Sequence, residues 1–147
     1  MDSNSTQSFH IMMVDDDQDD ALLFTYAMET LTTPYRFSIR HDGINLLNVI
    51  ATERPNIVFL DLNMPTKNGY ECLREIRSNA NFDNIPVVIY STSASRNEID
   101  KCFKQGADKY VIKPFTIAAI STMINQLCNT GWINNRSGSE QFVLRFE

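Results

Sequence analysis

A chain of 147 residues, 43% hydrophobic, with 13 basic and 18 acidic side chains and a formal charge of -5, suits one ordinary domain. The acidic balance argues against general binding to nucleic acid or an anionic membrane surface, since neither polyanion is attracted by the overall field. Cys72, Cys102 and Cys128 are odd in number and widely spaced, which fits neither a disulfide framework nor a zinc site.

Met1–Ser8 is polar and acidic, does not read as a signal peptide, and is expected to be flexible. No apolar run approaches the roughly 18 residues of a membrane span. A cytoplasmic protein is therefore expected.

Phe9–Val14 reads as a short apolar strand that runs straight into the acids of Asp15–Asp20. Leu22, Leu23, Tyr26 and Ala27 then recur at helical spacing up to Thr30. Pro34 breaks the pattern, and Tyr35–His41 alternates as a second strand with Tyr35, Phe37 and Ile39 on one side. Ile44, Leu47 and Ile50 give a short helical stripe before Pro55.

Ile57–Leu60 is apolar without alternation, as in a parallel strand covered on both faces. The unit then repeats. Gly69–Ser78 is a helix candidate, Val87–Tyr90 a continuous apolar strand, and Ser95–Gln105 a helix whose Ser95 and Glu98 have capping-box spacing. Gly106 is placed to end that helix. Asp108–Ile112 gives a fifth strand, and Ile117, Ile120, Ile124 and Leu127 line a last helix. Five strands alternating with five helices predict a doubly wound α/β domain over residues 9–128. Residues 129–147 form an extension, turn-like to Gly138, whose Phe142, Val143, Leu144 and Phe146 either fold back or meet a second subunit. Phe24, Phe59, Phe103 and Phe115 are expected to pack in the core or between helices and sheet.

In open α/β sheets, ligands bind beyond the carboxyl ends of the strands. There the chain places Asp15 and Asp16, Asp61, Ser91 and Lys113 after successive strands. Carboxylates gathered at one point repel each other unless a cation compensates, and an all-oxygen set that leaves room for water and phosphate suits Mg²⁺. Lys113 supplies a second positive charge, and Ser91 a hydroxyl. Together these can balance a transferring phosphoryl group, with Asp61 as the nucleophile. A calcium loop fits poorly. Asp15, Asp17 and Asp19 imitate its start, but Asp20 stands where its glycine belongs and Tyr26 where its last glutamate belongs.

The segments Ile11–Asp17, Ile57–Pro65, Gly69, Pro86–Ser91 and Gly106–Phe115, in this order and spacing, resemble the receiver domain of two-component response regulators from about Phe9 to Leu127. The run from Asp61 to Gly69 and the short tail are closest to the single-domain regulators paired with bacterial phytochrome-type kinases. The resemblance implies a flavodoxin-like (CheY-like) five-stranded parallel sheet of order 2-1-3-4-5 flanked by five helices. It implies that Asp61 accepts a phosphoryl group from a sensor histidine kinase or histidine phosphotransfer protein. Asp15, Asp16, Asp61 and the Asn63 backbone carbonyl would hold Mg²⁺, and Lys113, before a cis bond to Pro114, would contact the phosphoryl group. Ser91 and Tyr110 would move as a switch that alters partner binding.

The expected protein is thus a phosphorelay switch that catalyses its own phosphorylation and dephosphorylation, not a turnover enzyme, and it admits a homodimer. Two alternatives compete with it. An aspartyl-nucleophile phosphatase commonly has a second acid two residues after the nucleophile, where this chain has Asn63. A partner-binding pseudo-receiver would not need the intact acid, hydroxyl and lysine set.

Overall fold

The computed structural model describes residues 8–129 and 141–147. The expected flexible start therefore lies outside the described residues except for Ser8, and the expected turn-like stretch 129–138 lies outside them except for Asn129. The elements in chain order are β1 (His10–Val14), α1 (Gln18–Glu29), β2 (Arg36–Arg40), α2 (Leu46–Glu53), β3 (Ile57–Leu60), α3 (Gly69–Ser78), β4 (Val87–Ser91), α4 (Arg96–Lys104), β5 (Lys109–Ile112), α5 (Ile117–Asn129) and β6 (Val143–Arg145). The sheet is parallel throughout, in the order β2-β1-β3-β4-β5-β6. The strand order predicted for the first five is present.

The continuous apolar strands are explained by two cores, one on each face of the sheet. Met12, Val14, Val58, Leu60, Val87 and Ile89 point to one side, where Leu46, Ile50, Leu73, Ile76 and Cys102 cover them. Their neighbours Ile11, Met13, Ile57, Phe59, Val88 and Tyr90 point to the other, under Phe24, Ala27, Ile120, Ile124 and Leu127. Because successive side chains alternate across a strand, a strand buried on both faces needs an apolar residue at every position. Phe24 anchors the second core, with ring centroids 5.2 Å from Phe37, 5.3 Å from Phe59 and 5.7 Å from Tyr90.

Several local expectations are corrected. On α1 the buried residues are Ala21, Phe24 and Ala27, whereas Leu22 and Tyr26 are exposed. Of the four residues read as the stripe, Ala27 is buried and Leu23 packs half-buried against the same core. On α2 the buried pair is Leu46 and Ile50, and Ile44 is exposed ahead of the helix. Phe103 and Phe115 are exposed rather than packed in the core.

The Ser95–Glu98 capping box does not form. The Ser95 side chain makes no cap hydrogen bond, and its amide donates to Ser93 Oγ instead. A capping box forms instead at α3, where Asn68 and Glu71 exchange backbone and side-chain bonds. Gly106 ends α4 with φ +97, in the left-handed region that favours glycine.

The sixth strand was not anticipated as such. Val143–Arg145 continue the parallel sheet at β5, so the tail folds back on its own domain. This pairing takes up β5 backbone groups that an edge strand would leave open. Arg77 ties the same region together. Its guanidinium donates to the carbonyls of Gly106, Phe82 and Ile85 and to Asp108 Oδ2, joining α3 to both ends of the α4 unit. Among the described residues no helix is long and apolar enough to cross a membrane.

Candidate functional site

The acids after β1 are set by the strand itself. The Asp15 amide donates to the Arg40 carbonyl, extending the ladder one residue past Val14 and fixing Asp15 at the carboxyl edge. Asp15 Oδ1 accepts the Asp17 amide, and Asp17 in turn caps α1 by accepting from the amides of Asp19 and Asp20. The chain therefore turns from strand into helix within three residues. The Asp61 amide donates to the Val14 carbonyl, bringing the end of β3 beside that of β1.

Gly69 lets α3 start against this point. A Cβ there would lie 2.2 Å from the Asp61 carbonyl oxygen and 2.8 Å from Leu62 Cα, so a side chain would displace the backbone that carries Asp61.

Oxygens of Asp15, Asp16 and Asp61 lie within 4.8 Å of one another. Asp15 and Asp61 are buried, while Asp16 is more open. Burial pushes the Asp15 carboxyl up to about 7. The Asp17 amide and Lys113 oppose the rise, and Asp61 adds to it. Burial also raises Asp61, against the pull of Lys113 and the Asn63 amide. Asp15 Oδ2 is buried and faces the Lys113 ammonium at 2.9 Å. Three convergent carboxylates, two of them buried, form a hard, anionic donor set that fits a divalent cation such as Mg²⁺.

Lys113 enters from the end of β5, where its amide donates to the Ser91 carbonyl. Its ammonium is buried and lies 2.7 Å from Asp20 Oδ2, 2.9 Å from Asp15 Oδ2 and 3.8 Å from Asp61 Oδ1. The hydrogen bond goes to Asp20. Burial alone would lower this lysine, but Asp20, Asp15 and Asp61 together outweigh it and hold the ammonium at about 12. The bond from Lys113 to Pro114, expected to be cis, is trans. The trans isomer is the lower-energy form of an X–Pro bond.

Ser91 is fully buried at the end of β4, with its hydroxyl accepting from the Ser93 amide at 3.1 Å. Tyr110 is also fully buried, and its hydroxyl donates to the Ser93 carbonyl at 2.9 Å. Ser93 thus joins the two expected switch residues through one loop. Asn63 is exposed and lines a groove of about 490 Å³ that runs from Asp16 past Pro65 to Tyr70, so of the three acids Asp16 opens to solvent on that side.

All the residues singled out in the sequence therefore lie at the carboxyl edge of the sheet or, as with Tyr110, next to it. One was missed. Asp20 holds the nearest contact to Lys113, and its only signal was an acid in the first helical turn after a capping aspartate.

The response regulator receiver domain model matches residues 11–125. The chain belongs to the response-regulator receiver family. This receiver is 28% identical to the response regulator Rcp1 of Synechocystis sp. over 121 residues, 78% of this chain and 82% of that one. It is 27% identical to the response regulator MprA of Mycobacterium ulcerans over 139 residues, 95% of this chain, and spans 58% of MprA's length. Among solved structures, the Mn(2+)-bound form of Rcp1 superposes with a TM-score of 0.75 at 26% identity, covering 82% of this receiver and 95% of that chain. The phosphorylated cyanobacterial phytochrome response regulator RcpA gives 0.76 at 26% identity, covering 84% and 97%.

Proposed function

We propose that this receiver accepts a phosphoryl group on Asp61 from the phosphohistidine of a sensor histidine kinase or phosphotransfer protein and thereby changes its affinity for a protein partner. The observation that carries this reading is the grouping of Asp15, Asp16 and Asp61 oxygens within 4.8 Å beside a buried lysine. Asp15, Asp16, Asp61 and the Asn63 carbonyl would hold Mg²⁺, which supplies positive charge for the phosphoryl oxygens when bound. The Mn(2+)-bound and phosphorylated relatives support the same assignment. Residues 9–128 make up the receiver, with 129–147 as its extension.

In the transfer, a carboxylate oxygen of Asp61 bonds to phosphorus as the phosphorus–nitrogen bond of the donor breaks, and the imidazole leaves with its electron pair. Asp61 has to be ionised for this, so the burial that raises it has to be offset by neighbouring positive charge. Lys113, 3.8 Å from Asp61 Oδ1, lies close enough to meet the charge that develops on the phosphoryl oxygens. Ser91 offers a hydroxyl at the adjacent strand end. If it turns from Ser93 toward the phosphoryl group, the loop that also anchors Tyr110 must adjust.

Intact mass after incubation with acetyl phosphate and Mg²⁺ tests this reading. The parent is expected to gain one phosphoryl group, and Asp61→Asn none. Sustained turnover of an added phosphomonoester without a phosphorylated protein would favour a phosphatase instead.

A further inference from the structure

Tyr110 is bonded at both ends. Its hydroxyl donates to the Ser93 carbonyl at 2.9 Å, and its amide donates to the Phe142 carbonyl at 3.0 Å. The Phe142 ring lies 6.5 Å from the Tyr110 ring and 5.1 Å from that of Phe103, which is exposed on α4. On the loop side, the Ser93 amide donates to Ser91 Oγ at 3.1 Å. One tyrosine therefore touches both the loop that leaves the phosphoacceptor site and the tail.

The tail is held less firmly than the strand it joins. Tyr110 and Val111 are fully buried, whereas Phe142, Val143, Leu144 and Phe146 are only half-buried. β6 pairs over three residues, Val143–Arg145, at the end of the sheet. A short, half-exposed edge strand lies at the low end of local stability, where segments open without global unfolding.

We propose that β6 is a latch over the β5 edge, docked on Tyr110 through Phe142 and released by phosphorylation of Asp61. This rests on the phosphoacceptor reading and adds the element that responds to it. When the Ser91 hydroxyl turns toward the phosphoryl oxygens, the Ser93 amide loses its acceptor. The loop then carries the Ser93 carbonyl, and with it the Tyr110 hydroxyl, away from the position that presents the ring to Phe142. Phosphorylation and tail docking thus favour different placements of Tyr110, which is the differential interaction a population shift requires. Release uncovers the edge of β5 that pairs with Val143–Arg145.

Hydrogen exchange read by mass spectrometry on the full chain tests this, with acetyl phosphate and Mg²⁺ as the source of the phosphoryl group. Residues 141–147 and Lys109–Ile112 are expected to exchange on the order of tenfold faster in the phosphorylated protein, with Arg36–Arg40 unchanged. Tyr110→Phe keeps the ring against Phe142 but removes the bond to Ser93. Compared at equal phosphorylation by intact mass, it is expected to protect the tail as the parent does before phosphorylation and to lose the faster exchange after it. Parent-level exchange at Arg36–Arg40 shows that the variant is folded.

Tail exchange that is unchanged or slower in a parent phosphorylated at Asp61 would overturn the latch and leave the phosphoacceptor reading standing. A Tyr110→Phe protein that responds as fully as the parent would also overturn it. So would tail protection that disappears on dilution of the unphosphorylated protein, since the strand on β5 would then come from a second copy. A parent that takes no phosphoryl group would overturn both readings together.

Discussion

Asp15 is a carboxylate folded into a place water does not reach, with Asp61 nearby and the Lys113 ammonium 2.9 Å from one oxygen. Burial raises it to about 7, so without metal the native state holds a proton that the unfolded chain, titrating near the ordinary aspartate value, has lost. Between about pH 4 and pH 7 the native state then binds more protons than the unfolded one, and stability falls as pH rises. Metal-free protein is therefore expected to melt higher at pH 6 than at pH 8. Asp15→Asn should remove most of that slope and raise the pH 8 melting temperature by about 2–4 °C for each kcal/mol relieved. Thermal melts in a metal chelator across this range check it. A parent that becomes steadily more stable up to pH 8 would show that Asp15 is ionised in the folded chain throughout. Mg²⁺ should reverse the trend, because it binds the deprotonated acids.

At the scale of elements, β6 is the part of the fold least evident from sequence. A three-residue strand after a long polar stretch carries too little pattern to separate folding back from pairing with a second subunit. What fixes it here is tertiary. The Tyr110 amide donates to the Phe142 carbonyl, Lys109 Nζ donates to the Gln141 carbonyl, and the Phe142 ring lies 5.1 Å from Phe103. Phe103 is a surface residue that reads as core in the sequence, and its contact with the tail accounts for an aromatic there. Phe142→Ala is expected to cost about 1–2 kcal/mol, below the 3–5 kcal/mol of a fully buried phenylalanine. It should also speed amide exchange at Tyr110 on the order of tenfold while leaving β2 unchanged. Exchange that stays at the parent rate would mean the tail does not protect β5. Helix phases were legible only in part for a related reason. On α1 the core selects Ala21, Phe24 and Ala27, a stripe with two small residues that hydropathy ranks below the exposed Leu22 and Tyr26.

For the whole molecule, what was legible was the alternation of elements and the chemistry at the strand ends. Ile57–Leu60 can be read as doubly covered because each residue meets one of two cores, and Asp61 follows directly. Asp20 could not be read in this way. Its hydrogen bond joins a helix turn to a lysine 93 residues later, which no local pattern encodes. The fold brings acids, hydroxyl and ammonium to one edge, the tail strand extends the sheet beside Tyr110, and the Ser93 loop bonds both the Ser91 and the Tyr110 hydroxyl. The claim on which all of this depends is the chemical identity of the phosphorylated residue. Borohydride reduces an aspartyl phosphate to homoserine with release of phosphate, leaving a mark that peptide mass spectrometry can place. After phosphorylation with Mg²⁺ present, the peptide carrying Asp61 is expected to contain homoserine at that position and no other. Homoserine at Asp15 or Asp16, or a phosphorylated protein whose Asp61 is unmodified, would contradict the account.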